Sequence, residues 1–322
     1  MTELDEPLAI AMSPGAIHPA IDHALAAFPA RDAREAAKAI ACACGERLAS
    51  DAPDAWGGSR LTGDGFPFEL SFSTLDPRLR FTIEPGGRWL ALSERLEAAA
   101  IVVATIAGSP VPGATLAGLR AMQADAPLAY GAWVGCRVGP NGTQAKLYVE
   151  VPRIAPFHVE SLLLDEREVT PRMLAYSPST HSFEAYCRVP SLEPRHLAAV
   201  LQLVDGEARV PWLHDFITEA YGHRLSGRLP GPSVGVSFVR HAAEKRVTLH
   251  FYARAFWGSD AGIRRGFSRV ARAAGWDDTA YLRVTAPIAH RDEWRTCHGL
   301  FGITLDAAHR ISLGIGLRPV AP

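Results

Sequence analysis

Between residues 67 and 317, apolar and polar residues alternate in short runs that come in pairs around turn residues. Longer stretches of helical period separate the pairs. Five pairs can be read: 67–73 with 79–85, 132–138 with 145–152, 173–177 with 182–189, 234–240 with 246–255, and 299–305 with 310–317. The turn chemistry is clearest at Asn141-Gly142, a dipeptide suited to a tight hairpin. Helical stretches are expected over 16–49, 94–106, 114–124, 193–204, 213–221 and 261–274. Ser191 and Asp260 stand where helix N-caps belong, and Gly275 where a helix stops.

Successive strand residues face opposite ways, so each run has two faces. Phe68, Leu70 and Phe72 share one face, and Glu69, Ser71 and Ser73 the other. Leu79, Phe81 and Ile83 oppose Arg80, Thr82 and Glu84; Leu147, Val149 and Val151 oppose Lys146, Tyr148 and Glu150. Val247, Leu249 and Phe251 oppose Thr248, His250, Tyr252 and Arg254, while Ile311, Leu313, Ile315 and Leu317 oppose Ser312, Gly314 and Gly316. One arrangement with this property is a flat sheet with helices on one side and solvent on the other. Ten antiparallel strands tend to curl, however, and closure removes the exposed edges. The expectation is an α+β fold: a ten-stranded antiparallel barrel of five repeated hairpins, ringed by helices, with the polar face lining a lumen. No linker or composition shift divides the chain, so residues 1–322 read as one barrel domain, with 1–58 a helical segment packed on it.

Composition narrows the chemistry. Hydrophobic residues are 48% of the 322 and charged residues 21%, the profile of a packed globular protein. Lys and Arg number 33 against 34 Asp and Glu, so no basic surplus points to nucleic acid or an anionic membrane. The longest apolar run, 98–107, is too short to span a bilayer, and the acidic start Met1-Thr-Glu-Leu-Asp-Glu lacks a signal peptide's basic region. Five cysteines without a zinc or disulfide spacing fit a reduced cytoplasm. The twelve histidines form no metal-binding pair, and Asp277-Asp278-Thr-Ala-Tyr281 reads as a helix cap rather than an aspartate-rich metal motif.

The polar face carries the candidate chemistry. Glu69 in an enclosed lumen could take a proton from a substrate N–H or O–H, whereas on an open sheet it is a solvated carboxylate. Arg80, Lys146 and Arg254, with Tyr148, Tyr186 and Tyr252, put cations and phenol donors on one wall. Such a wall cradles a diphosphate, and its aromatic faces stabilise a carbocation. The competing reading is a water-filled barrel with structural ion pairs, Glu84 or Glu150 to Arg or Lys.

Residues 61–71 (Leu-Thr-Gly-Asp-Gly-Phe-Pro-Phe-Glu69-Leu-Ser), then Leu79-Arg80-Phe-Thr-Ile-Glu-Pro85, resemble the start of the aromatic (indole) prenyltransferases of the dimethylallyltryptophan-synthase type. Ala145-Lys146-Leu-Tyr148 resembles that family's K-x-Y strand. The resemblance covers roughly residues 60 to 317. It implies a ten-stranded barrel of five repeats with outer helices, the ABBA or PT-barrel fold. It further implies prenyl transfer from an allylic diphosphate, dimethylallyl or geranyl, to an indole or tryptophan-like acceptor, as a small molecule or within a peptide. It implies neither a cofactor nor an obligatory metal; monomer and homodimer both stay open. By position Glu69 matches the glutamate that binds the indole N–H. Arg80 and Lys146 match diphosphate ligands. Tyr148, Tyr186 and Tyr252 match tyrosines that shield the allyl cation, and His250 the polar residue two before the last of these. The third repeat departs from the family's R-x-K-x-Y, reading Ser182-Phe-Glu184-Ala-Tyr186, and the fifth has Ser312, Gly314 and Gly316 in place of tyrosines. These departures imply weaker diphosphate binding unless Arg188 or Arg254 compensates, and a wider lumen. They leave open a barrel that binds an isoprenoid or amphiphile without catalysis.

Overall fold

Ten strands form where the alternation places them. They are β1 (Phe68–Ser73), β2 (Leu79–Ile83), β3 (Ala132–Gly139), β4 (Gly142–Glu150), β5 (Thr170–Ser177), β6 (Ser182–Val189), β7 (Val234–His241), β8 (Glu244–Tyr252), β9 (His298–Asp306) and β10 (Ile311–Leu317). The computed structural model describes residues 17–48, 56–87, 89–152, 169–190, 192–225, 227–241, 244–308 and 310–322. Each strand pairs antiparallel with its sequence neighbours, and the sheet closes because β1 also pairs with β10. Leu70 thus faces Phe81 on one side and Leu317 on the other. The sheet is a closed barrel, and the flat-sheet alternative is excluded.

Nine α-helices lie among the described residues: α1 (Pro19–Leu25), α2 (Ala30–Cys44), α3 (Arg95–Ala107), α4 (Gly113–Gln123), α5 (Leu197–Leu201), α6 (Val210–Tyr221), α7 (Ala253–Trp257), α8 (Asp260–Ala273) and α9 (Thr279–Val284). The main hydrophobic core lies between them and the outward strand face. Phe68, Leu70, Leu79, Ile83, Val134, Leu147 and Phe251 are each 0% exposed. Each such side chain contributes about 1.5–3 kcal/mol on burial. Helix α2 packs on β2 and β3, α3 on β3 and β4, and α7 on β8 and β9. No described helix is long and apolar enough to cross a membrane.

Several expectations shift. The stretch expected over 16–49 divides where Pro29 stands as the N-cap of α2, because a proline ring cannot continue a preceding helix; residues 1–16 and 49–55 lie outside the described set, as does Ser191. The segment 193–204 is a short helix flanked by single 3-10 turns. The strand expected to run to 255 ends at Tyr252, because α7 begins at Ala253. Arg254 is therefore helical and not on a strand face.

Asp260 is likewise not an N-cap. Ser259 caps α8, its Oγ accepting from the Gly262 N–H at 3.3 Å. The Asp260 carboxylate instead accepts from the backbone N–H groups of Cys297 and His298 at 3.0 and 3.2 Å. It also meets the His298 ring Nδ1 at 2.7 Å, and His298 Nε2 meets the Tyr281 hydroxyl at 2.9 Å. This fully buried chain pins the start of β9 to α8 and α9. Gly275 ends α8 with φ +79°, as expected, and Asp277 accepts from the Thr279 N–H at 3.0 Å at the start of α9.

Candidate active site

The polar face lines a lumen of about 1380 Å³ and brings together Glu69, Arg80, Lys146, Tyr148, Tyr186, His250 and Tyr252, while Arg254 borders the same space from α7. A pleat can only do this when the sheet is closed. Glu84 and Glu150 do not charge the lumen. Glu84 makes a buried ion pair with Arg95 at 2.6 Å, and Glu150 accepts from the backbone N–H groups of Ala129, Tyr130 and Gly131.

Glu69 projects inward from β1 against two glycines. A Cβ on Gly316 would stand 2.7 Å from Oε1, and one on Gly299 2.8 Å from Oε2. The fifth-repeat glycine at 316 therefore makes room for the Glu69 carboxylate rather than for ligand. Gly314 is different: a Cβ there would meet nothing nearer than a backbone oxygen at 3.4 Å. Glu69 has no hydrogen-bond or ion-pair partner among the described residues. Burial pushes its pKa from the ordinary 4.5 to about 7. A lone carboxyl poised near neutrality suits proton transfer.

A band of rings crosses the lumen. Tyr148 and Tyr186 meet edge to face with centroids 5.9 Å apart, and Tyr186 lies 5.8 Å from the His250 ring. Arg188 donates to the Tyr252 hydroxyl, and Arg254 lies 5.1 Å over the ring of exposed Trp294. Both arginines are thus engaged, and neither stands free to replace the missing third-repeat cations.

The cationic end is built differently. Glu184 accepts from Lys146, from Arg246 Nη2 at 3.3 Å and from Ser237 Oγ at 2.8 Å. Burial alone would raise the Glu184 pKa, but the Lys146 ammonium and the Arg246 guanidinium hold it well below the usual carboxylate range. Ser237 spends its one proton on Glu184, so its 3.0 Å contact with His250 Nε2 requires that nitrogen to donate. His250 Nδ1 is then an unprotonated acceptor with no partner among the described residues. Burial also lowers the His250 pKa to about 4, which keeps the ring neutral. Arg80 and Arg137 sit directly opposite each other on β2 and β3. Burial, then Arg137, pushes the Arg80 pKa down to about 10. Neither guanidinium has a hydrogen-bond or ion-pair partner among the described residues.

Arg137 and Arg246 are lumen cations that the candidate set lacked. The signal for them was present, since Arg137 alternates with Val134, Cys136 and Val138, and Arg246 with Val247 and Leu249.

No family model matches the sequence, and neither does any curated protein. Solved structures do match in fold. The 6-dimethylallyltryptophan synthase from Micromonospora olivasterospora, solved with DMASPP and Trp, superposes with a TM-score of 0.74 at 17% identity, covering 95% of this chain and 99% of that one. The 5-dimethylallyltryptophan synthase from Streptomyces coelicolor gives 0.72 at 18% identity, covering 94% and 95%. The prenyltransferase PriB, in a ternary complex with L-tryptophan and dimethylallyl thiolodiphosphate, gives 0.72 at 17% identity, covering 94% and 98%. This chain therefore has the ten-stranded prenyltransferase-barrel fold that these tryptophan prenyltransferases share.

Proposed function

We propose that the protein transfers a prenyl group from an allylic diphosphate to an electron-rich aromatic acceptor inside the lumen, with dimethylallyl diphosphate and an indole such as tryptophan as the substrates. The observation that carries the reading is the pairing, in one enclosed space, of an unpartnered near-neutral carboxyl, Glu69, with a cationic end at Arg80 and Lys146. The complexes of fold-related prenyltransferases with tryptophan support the choice of acceptor.

In this reading Arg80, Lys146 and Arg246 bind the diphosphate. The allylic C–O bond breaks, and the diphosphate leaves with the electron pair. Tyr148, Tyr186 and Tyr252 face the allyl cation with ring π-density, each worth about 0.5–2 kcal/mol. The acceptor ring attacks, a C–C bond forms, and the displaced ring proton passes to Glu69. His250 offers a lone pair rather than a proton, so it faces the cation or the acceptor and not the diphosphate. Arg254, beside the exposed Trp294, borders the lumen from α7. The chain's own guanidinium and ammonium groups meet the leaving group's charge, so the reaction proceeds without a metal. The five free thiols suit a cytoplasmic setting.

The test is incubation with dimethylallyl or geranyl diphosphate and tryptophan, reading diphosphate release and prenylated product. Glu184, which neutralises Lys146, favours a second reading in which the barrel holds an isoprenoid without turnover. Tight binding of the donor without diphosphate release identifies that case and refutes the first.

A further inference from the structure

At the end where the tight hairpin turns gather, the lumen narrows into a side pocket of about 160 Å³. Its walls carry Arg80, Arg137, Lys146 and Arg246, together with Ser182 and Glu184. That space is ample for one phosphoryl group, and its cationic lining rather than its size disfavours a prenyl chain or an indole.

The four cations are not equivalent. Lys146 and Arg246 share the Glu184 carboxylate. Arg80 and Arg137 face each other across the β2–β3 ladder, and neither makes a hydrogen bond or ion pair among the described residues; Asp76, whose charge reaches Arg80, is itself bound by Arg78. Like charges directly opposite in a sheet are destabilising. Two guanidiniums held so close, and aimed into a pocket, form a fork that a multiply charged anion satisfies. Glu184 meanwhile repels an anion from the Lys146 side and directs it toward the unpaired couple.

We infer that the distal phosphate of the donor occupies this side pocket between Arg80 and Arg137, with Arg137 replacing the cations that the third repeat lacks at Ser182 and Glu184. The inference rests on the prenyl-transfer reading, since it places one half of that reaction's leaving group. Ser182 and Thr180, whose hydroxyls meet at 2.7 Å, line the same pocket, and whichever of the two accepts in that bond keeps a proton to donate. The sequence-based candidates for compensation, Arg188 and Arg254, lie outside the side pocket.

Calorimetric titration with inorganic pyrophosphate tests it on the full chain. Arg137→Met is expected to weaken pyrophosphate binding at least tenfold, while its melting temperature without ligand equals or exceeds that of wild type because a repulsion has gone. Arg137→Lys is expected to recover part of the affinity, and Arg188→Met to bind within twofold of wild type. Glu184→Gln is expected to bind more tightly, with Arg137→Met still weakening binding in that background. Pyrophosphate binding unchanged in Arg137→Met overturns the inference, as does an equal loss in Arg188→Met. Wild type that binds no pyrophosphate at all refutes the prenyl-transfer reading and this placement together.

Discussion

Replacing Glu69 by Gln should make the protein more stable and nearly inactive, and both effects follow from the same isolated carboxyl. Glu69 is enclosed with no partner, and burial moves its pKa from 4.5 to about 7. A carboxyl whose pKa is raised on folding costs nothing below its unfolded value. Its cost grows as pH rises from 4.5 to about 7 and is constant above. At pH 8 the full cost is at most about 3 kcal/mol, reduced by whatever water the lumen admits. Unfolding entropy near 2.1 cal/mol/K per residue, over 322 residues, converts this to about 4 °C in melting temperature. Glu69→Gln keeps the shape and removes the charge. Thermal melts of both proteins at pH 8 and pH 5 should show the variant about 4 °C higher at pH 8, with most of the gap closed at pH 5. Prenyl transfer should fall by about 10²–10⁴-fold, the scale of a lost general base. Wild-type kcat/KM should decline below about pH 7 as Glu69 protonates, a limb absent in the variant. A variant that melts at or below wild type at pH 8, or a gap independent of pH, refutes the argument for an isolated, ionising Glu69.

Gly316→Ala puts a Cβ 2.7 Å from Glu69 Oε1, whereas Gly314→Ala meets nothing closer than 3.4 Å, so transfer rates should drop at least tenfold for the first and change little for the second. Asp260→Ala leaves two backbone N–H groups and the His298 ring without their acceptor, so urea unfolding should show a loss of about 3 kcal/mol. Burial opposes ionisation of Asp260, yet His298 and the backbone donors hold its pKa below the ordinary 3.8; its stabilisation is present above that pH and is lost as pH falls through the lower folded value, which acid titration of wild type against Asp260→Ala should show. His250, neutral above about pH 4, should add no inflection to the rate profile between pH 5 and 8, and His250→Asn should leave the shape of that profile unchanged.

The period-2 pattern made most of the barrel legible, because a pleat sends alternate residues to opposite faces whatever the neighbouring strands do. Hence Glu69, Arg80, Lys146, Tyr148, Tyr186, His250 and Tyr252, from four of the five hairpins, share one cavity, as the alternation required. The pattern misled at Arg254. Ala253 continues the apolar positions 247, 249 and 251, but Phe256-Trp257 breaks the alternation and marks the short helix, so Arg254 borders the lumen from α7 and not from a strand. The glycines of β10 looked like widening, and at 316 they are an accommodation, which shows only when Glu69 from the first hairpin closes against the last.

What alternation does not encode is level along the barrel axis. Strand tilt and stagger decide which inward residues meet across the lumen, and these are properties of closure rather than of any one run. Glu184 in place of a cation reads from the sequence as a weakened anion site. In the barrel it lies level with Lys146 on one side and Arg246 on the other, and takes both as partners. On β3, Arg137 faces Arg80 and makes no hydrogen bond or ion pair among the described residues, so in the phosphate placement inferred above it stands in for the lost cations. In that inferred placement, two residues on strands that the third hairpin does not touch set where a diphosphate sits, and the sign of that site follows from pairing across the lumen, not from the repeat in which a charge was lost.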